Sequence, residues 1–341
     1  MLLRPYASHE RRGAVVVYSP RKAASPMSAI ILDVLPIFIL ILIGWVIVRS
    51  GLMASNVGEA LSEFVFKIAV PLLLFRTIAE ADFHGASPFR LWIVYFSGVA
   101  ITWATGHIAA TRLFGRDERI GVLAGVSSAF ANNIFIGLPL VERTVGDEGL
   151  VALSILLAVH LPVMMVAGTV LMEHAERKIA GKSDRSMVLV LRQIAVNLVR
   201  NPLVIGLAAG MAMHLSGLAM PVTLATVVKQ IAGIAGPAAL ISLGMALEKY
   251  GISGNLGIAS VTSSLKLLLL PGCVWAASHL LGLSPAWTAA IVLTSSVPTG
   301  VNAWLIANRF GVGHSIAAST ITVTTALGAI TVSLWAYFLG A

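Results

Sequence analysis

This chain is short of charge and almost without cysteine. Charged side chains make up 11% of its 341 residues, where a soluble domain carries roughly 25%. A water-facing surface for a chain of this length cannot be assembled from so few. The single cysteine, Cys273, excludes an intramolecular disulfide and any zinc site built on cysteines. No His-Glu-x-x-His and no G-x-x-x-x-G-K-[ST] pattern occurs, which removes the zinc-peptidase and ATP-driven pump classes. No metal site and no cofactor are expected.

Apolar residues are what the chain has in abundance, at 57% with a mean hydropathy of +0.91. Runs of about 20 apolar residues recur, the length that crosses roughly 30 Å of hydrocarbon. Ten spans are predicted at about 29–48, 57–78, 89–113, 118–141, 149–172, 192–214, 222–247, 256–281, 286–308 and 314–339. The polar stretch from Glu173 to Arg185 divides them five and five. Five is odd, so the second set enters the membrane in the opposite sense, as inverted-topology repeats do. The expected organisation is an N-terminal tail (1–28), a first repeat (29–172), a cytoplasmic loop (173–191) and a second repeat (192–341). Shared landmarks support the pairing. Each half has a mid-span proline in its second span, Pro71 and Pro237. The fourth and ninth spans are each broken by Asn, Gly and Pro.

The net charge of +8 does not indicate a nucleic-acid partner, because the cations cluster at span ends and carry no interleaved aromatics. One set of loops holds Arg49, Arg112, Arg116, Arg119, Arg177, Lys178, Lys182, Arg185, Lys249 and Arg309. That set is assigned to the cytoplasm by the positive-inside rule, which leaves both termini outside. The basic tail, with Arg4, Arg11, Arg12, Arg21 and Lys22, opposes this arrangement. Either the tail is exported all the same or the native protein begins at Met27; the later start is the expectation, since the tail has no periodicity and no counterpart in the second half.

The two broken spans carry the chemistry. The first reads Ala131-Asn132-Asn133-Ile134-Phe135-Ile136-Gly137-Leu138-Pro139, and the second Val297-Pro298-Thr299-Gly300-Val301-Asn302-Ala303. Inside a bilayer an interrupted helix survives only where protein or a watery cavity covers its backbone. Each half-helix that restarts at a break aims free N–H groups and a positive dipole end at the bilayer midplane, a ready anion site. Asn132, Asn133 and Asn302 add amide donors for an anion or carbonyls for a cation. Pro139 and Pro298 lower the cost of leaving the helix. The bland alternative is a pair of kinks that serve packing alone. Lys266, about ten residues into the eighth span, is a functional candidate by default. It could neutralise a substrate carboxylate, replace a bound cation at the carbonyl ends of a broken helix, or merely snorkel to the interface. His107, His160 and His279 lie in apolar stretches, where a hydrogen-bonded core role is commoner than proton relay. Asp33 sits near the start of the first span. Glu59, Glu63 and Lys67 read as a ladder on a helix surface.

These residues match a family. Asn132 with Phe135-Ile136-Gly137-Leu138-Pro139-Leu140, together with Pro298-Thr299-Gly300-Val301-Asn302-Ala303 and Ala307-Asn308-Arg309-Phe310-Gly311, resembles the bacterial branch of the auxin efflux carriers. The resemblance covers nearly everything from residue 29 onward. It implies a crossover fold in which the third to fifth helices of each half move against the first two. It further implies transport of small organic anions such as malate, malonate or auxin-like carboxylates, and a possible homodimer. The expected substrate-binding set is Asn132, Asn133, Gly137, Pro139, Lys266, Pro298, Gly300 and Asn302. The expectation is therefore an all-α protein of the bacterial inner membrane with ten transmembrane helices, the fourth and ninth broken and crossing. Its lipid-embedded site would carry small organic anions by alternating access. A sodium- or proton-coupled exchanger or symporter of the same fold is the alternative. An intramembrane enzyme is disfavoured, because Asp33 has no midplane aspartate partner and Ser127, Ser128, Ser295 and Ser296 have no evident base.

Overall fold

The computed structural model describes residues 26–81, 87–180, 196, 199–250, 254 and 256–341. The basic tail, Arg192 and most of the expected 173–191 loop lie outside the described residues. Among those described the chain is all-helical and without a β-strand. In chain order the helices are α1 (Pro26–Arg49), α2 (Ser55–Phe64), α3 (Val70–Ala79), α4 (Pro88–Ile108), α5 (Glu118–Ala129), α6 (Leu138–Thr144), α7 (Asp147–Ala180) and α8 (Pro202–Ser216). They continue with α9 (Val222–Gly233), α10 (Ala235–Leu247), α11 (Leu256–Ser264), α12 (Leu270–Leu280), α13 (Pro285–Ser296), α14 (Asn302–Phe310) and α15 (His314–Leu339).

Six helical stretches are long and apolar enough to cross a membrane by length and composition. The other four expected spans also fall on helix, and each misses that measure for a visible reason. The second carries Glu59, Glu63, Lys67 and Arg76. The fourth and ninth are interrupted. The sixth is described as an unbroken helix only from Pro202. One boundary differs from expectation: α7 continues through Glu173 to Ala180, where a loop was expected. The segment Glu-His-Ala-Glu-Arg-Lys is made of helix-compatible residues, and Glu173 packs inside rather than facing water.

Three of the prolines inside the spans are accommodated by widening the helix. Proline lacks an N–H and its ring clashes with the carbonyl four residues earlier. π turns at Val65–Ala69, Asn133–Gly137 and Leu265–Leu269 each end two residues before Pro71, Pro139 and Pro271. The carbonyl that Pro271 displaces, that of Leu267, accepts a hydrogen bond from Trp335 Nε1 at 3.0 Å. A neighbouring helix thus satisfies the backbone group that the proline sets free.

Small residues bring helices into backbone contact, as they do where lipid offers no hydrophobic drive to associate. Helix α1 lies on α10, and a Cβ at Gly44 would sit 2.1 Å from Ile241 O, one at Gly244 1.9 Å from Ile41 O. Helix α3 lies on α8 in the same manner, with Gly206 against Pro71 O and Gly210 against Phe75 O. Of the broken spans, α5 packs on α4, α7 and α15 and α13 on α12, α7 and α15, while the turn Asn133–Gly137 and α6 reach back to α10 and α1.

The Gly244 contact makes a direct test. Gly244→Leu should lower the stability of the reconstituted protein by at least about 2 kcal/mol, the scale of overpacking, whereas Gly233→Ala, with open space around its Cβ position, should melt like the parent. Equal melting of both variants would contradict a backbone-tight α1–α10 contact.

Candidate functional site

Both interruptions lie side by side. Helix α5 stops at Ala129, Phe130 turns extended (φ −86°, ψ 93°), and Ala131 forms an isolated antiparallel bridge with Thr299 of the second break. Asn132 N–H donates to Pro298 O at 3.0 Å, and Gly300 N–H donates to Phe130 O at 2.7 Å. Helix α13 stops at Ser296, Val297 is extended (φ −64°, ψ 158°), and the chain becomes helical again at Asn302. Two short extended stretches therefore pair and satisfy one another, which meets the demand that no backbone group be left bare in the membrane.

The carbonyls left at the two helix ends are served differently. At the end of α5, Ser127 O accepts from Thr299 Oγ1 at 2.8 Å, and Phe130 O from the Gly300 amide. At the end of α13, Ser295 O and Val297 O both accept from Lys266 Nζ, at 2.5 and 2.6 Å. Lys266 is fully buried, at 0% exposure, so it does not snorkel to the interface. It sits in the π turn Leu265–Leu269, and its ammonium caps the negative dipole end of α13. Among the described residues it forms no ion pair with a carboxylate. The crossing thus has one end closed by neutral donors and the other by a cation.

A second network fixes the first break. Thr294 Oγ1 donates to Asn133 Oδ1 at 3.2 Å, Asn133 Nδ2 donates to the Tyr95 hydroxyl at 3.1 Å, and that hydroxyl lies 3.4 Å from His160 Nε2. His160 is enclosed edge-on by Tyr95 and Phe130. Every member is buried, and the chain ties α13, the first break, α4 and α7 together. Close approach is built in here as well: a Cβ at Gly137 would stand 2.3 Å from Thr294 Oγ1, and one at Gly300 3.3 Å from Ala131 O.

Of the residues singled out from sequence, Asn132, Asn133, Gly137, Pro298, Gly300 and Lys266 meet at this crossing. Asn132 uses its carbonyl oxygen to cap Phe135 N–H at 3.3 Å, so its NH₂ is the group it can offer a ligand. The Asn133 amide is engaged at both ends and serves position instead. Pro139 stands apart, in the first turn of α6 and facing Gly236 of α10. Asn302 opens α14 and is partly exposed. His107 pairs with Glu118 at 3.1 Å, away from the crossing, and His279 is exposed beside Trp275. The Asp33 carbonyl accepts from Arg143 Nε at 3.1 Å, and Glu63 pairs with Lys67 on a helix surface. Sequence reasoning missed Tyr95, Thr294, Thr299 and Thr324, whose Oγ1 accepts from Thr299 N–H at 3.0 Å. Hydroxyls are common in apolar spans and bear no periodic signal; Thr299 lies within the second break as read from sequence, but nothing in the chain marked the role of its hydroxyl or of the other three. Among the described residues no cluster of three or more His, Cys, Asp or Glu side chains gathers as a metal site would.

An all-helical chain with apolar spans and two hydrogen-bonded interruptions defines a class of protein, the membrane transporters. The sequence pattern of the membrane transport protein family matches residues 29–336, and the chain belongs to this family, the auxin efflux carriers. It is a multi-pass protein of the inner membrane. It is 27% identical over 321 residues to a protein of Rhizobium meliloti (strain 1021) named "Putative malonate transporter", spanning 88% of this chain and 92% of that one. An uncharacterized transporter of Methanothermobacter thermautotrophicus is 25% identical over 312 residues, covering 90% of this chain and 97% of its own. An uncharacterized transporter of Escherichia coli (strain K12) is 21% identical over 309 residues, with 89% and 96% covered. The matched proteins are transporters rather than enzymes.

The network through Asn133 makes its own prediction. Tyr95→Phe strands the Asn133 NH₂ and His160 Nε2, and should cost about 1–3 kcal/mol of stability, read as a lowered melting temperature. A Tyr95→Phe protein as stable as the parent would show that the hydroxyl holds nothing.

Proposed function

We propose that this chain is a secondary carrier that moves small organic anions, carboxylates above all, across the inner membrane by alternating access. The observation that carries the proposal is Lys266, a buried ammonium bound to two backbone carbonyls with no carboxylate beside it among the described residues. Those carbonyls supply partial negative charge but no full compensation, so the crossing keeps an excess of positive charge in a low-dielectric setting. A substrate carboxylate supplies the missing charge. Its ligands on this reading are the Asn132 amide and the N-terminal amides of the half-helices, with Asn302 at the start of α14. Gly137, Pro139, Pro298 and Gly300 shape the breaks, and Asn133 orients the first. The name of the Rhizobium relative favours a short dicarboxylate among the candidates.

Ten spans in two inverted five-helix repeats are the arrangement we propose for this mechanism. The pairing of contacts supports it. Helix α1 on α10 is answered by α8 on α3, each through glycines, and α5 against α15 is answered by α13 against α7. The first two spans of each half would form the frame against which the crossing elements move.

The same lysine bears on coupling. Exposed carbonyls at the end of a half-helix are where a coupling sodium ion is held in broken-helix carriers, and here the ammonium takes them. Sodium is therefore not required at this point, and membrane potential suffices to drive anion export, at about 2.3 kcal/mol per charge per 100 mV. The test is uptake of labelled malonate, malate and an aromatic acid into proteoliposomes by the parent, Lys266→Ala and Asn302→Ala, with imposed potential, pH or sodium gradients. We expect flux of a carboxylate that falls by about tenfold or more in Lys266→Ala, as for a lost charge-assisted bond, in protein that still elutes as a folded particle. Flux of none of these acids, with dye signals that follow sodium or protons instead, would replace this reading with the ion exchanger.

A further inference from the structure

A slot of about 690 Å³ runs between α4, α5 and α7, away from the crossing. Its floor is apolar, made by Val99, Trp103, Val122 and Met164, and its rims carry exposed Ala104 on α4 and Leu171 on α7. From Phe96 to Ile108 it follows α4 for thirteen residues, about 18 Å of helix, close to the depth of one leaflet, about half of 30 Å. One end alone is polar, where His107, Glu118, His174 and Lys178 gather. Glu118 is occupied there, by Lys178 at 2.6 Å and His107 at 3.1 Å. The outer ridge of α4, Ala100, Ala104 and Ile108, reaches exposed Arg112 after one more turn at the same spacing of four. The α4 wall therefore ends in Arg112 and the α7 wall in Lys178 held by Glu118, a net positive end on the side that the Lys and Arg distribution assigns to the cytoplasm.

We infer that this slot binds one anionic phospholipid of the cytoplasmic leaflet, an acyl chain along α4 and the headgroup phosphate at Arg112 and Lys178. An apolar groove of leaflet depth, closed by cations at headgroup level, has the shape and charge order of such a lipid. The site is not isolated from the moving parts. Glycines at 125 and 168 make room for the Trp103 indole, and a Cβ at Gly168 would meet both the Trp103 ring at 3.6 Å and Ile306 of α14 at 2.8 Å. An acyl chain in the slot lies one side chain away from the half-helix that starts at Asn302.

The test uses the full chain in detergent, titrated with phosphatidylglycerol or with phosphatidylcholine of the same chains, and followed by melting temperature. The parent should reach half of its stabilisation at an about fivefold lower concentration of phosphatidylglycerol, as for the one net positive charge left by Arg112, Lys178 and Glu118. Ala104→Phe, which fills the slot from an exposed position, should lose the stabilisation by both lipids. Arg112→Gln with Lys178→Gln should keep it but bring the ratio of the two concentrations to about one. Brominated phosphatidylglycerol should quench less of the total emission in Trp103→Phe than in the parent. Equal responses to the two lipids in the parent, or an Ala104→Phe protein that responds as the parent does, would overturn the assignment. So would a dimer that Ala104→Phe abolishes without any lipid preference, since a second copy would then be the occupant.

Discussion

Breaking a helix inside a bilayer leaves carbonyls that nothing in lipid can satisfy, and this structure is arranged around closing two such breaks. Each break supplies donors to the other: Asn132 N–H to Pro298 O, Gly300 N–H to Phe130 O, Thr299 Oγ1 to Ser127 O. The exchange is not symmetric. The end of α13 needs an ammonium as well, and Lys266 delivers it from the π turn before Pro271. A neutral donor there would have balanced hydrogen bonds without changing charge. A lysine balances the hydrogen bonds and adds a charged group to the site; on the proposed reading that charge is what an organic anion meets.

The rest of the molecule positions this crossing. Glycine contacts lock α1 to α10 and α3 to α8 at backbone distance, and such contacts resist sliding because a closer approach meets carbonyl oxygen. The interrupted spans pack among α4, α7, α12 and α15, and the first break also reaches α1 and α10, with hydroxyls among the joints. Tyr95, Asn133 and Thr294 join α4, the first break and α13 through one buried chain of hydrogen bonds. A glycine-packed set of helices thus lies beside a set joined through hydroxyls.

Much of the fold could be read from the chain because lipid imposes strict rules. Scarce charge and 20-residue apolar runs announced the membrane, and the Asn, Gly and Pro at 132–139 and 298–302 marked where helices stop. Lys266 stood out because a lysine in an apolar span is costly. What escaped was the work of ordinary residues. Tyr95, Thr294, Thr299 and Thr324 look like any hydroxyls in apolar helices, and their roles exist only once distant segments meet. The helix of the fifth span runs past 172 for a related reason: charge suggested a loop there, yet Glu173 is buried by packing and α7 continues to Ala180. Asn133 was correctly placed at the break, but sequence could not show that both ends of its amide are already engaged.

The central claim is that Lys266 supplies the charge an organic anion meets, in place of a coupling cation. The most direct measurement is calorimetric binding of malonate to the purified protein in sodium and in choline buffers, repeated on Lys266→Met. Binding that is the same in both buffers and disappears in Lys266→Met is the predicted result. Binding that requires sodium, or that survives the loss of the ammonium, would contradict it.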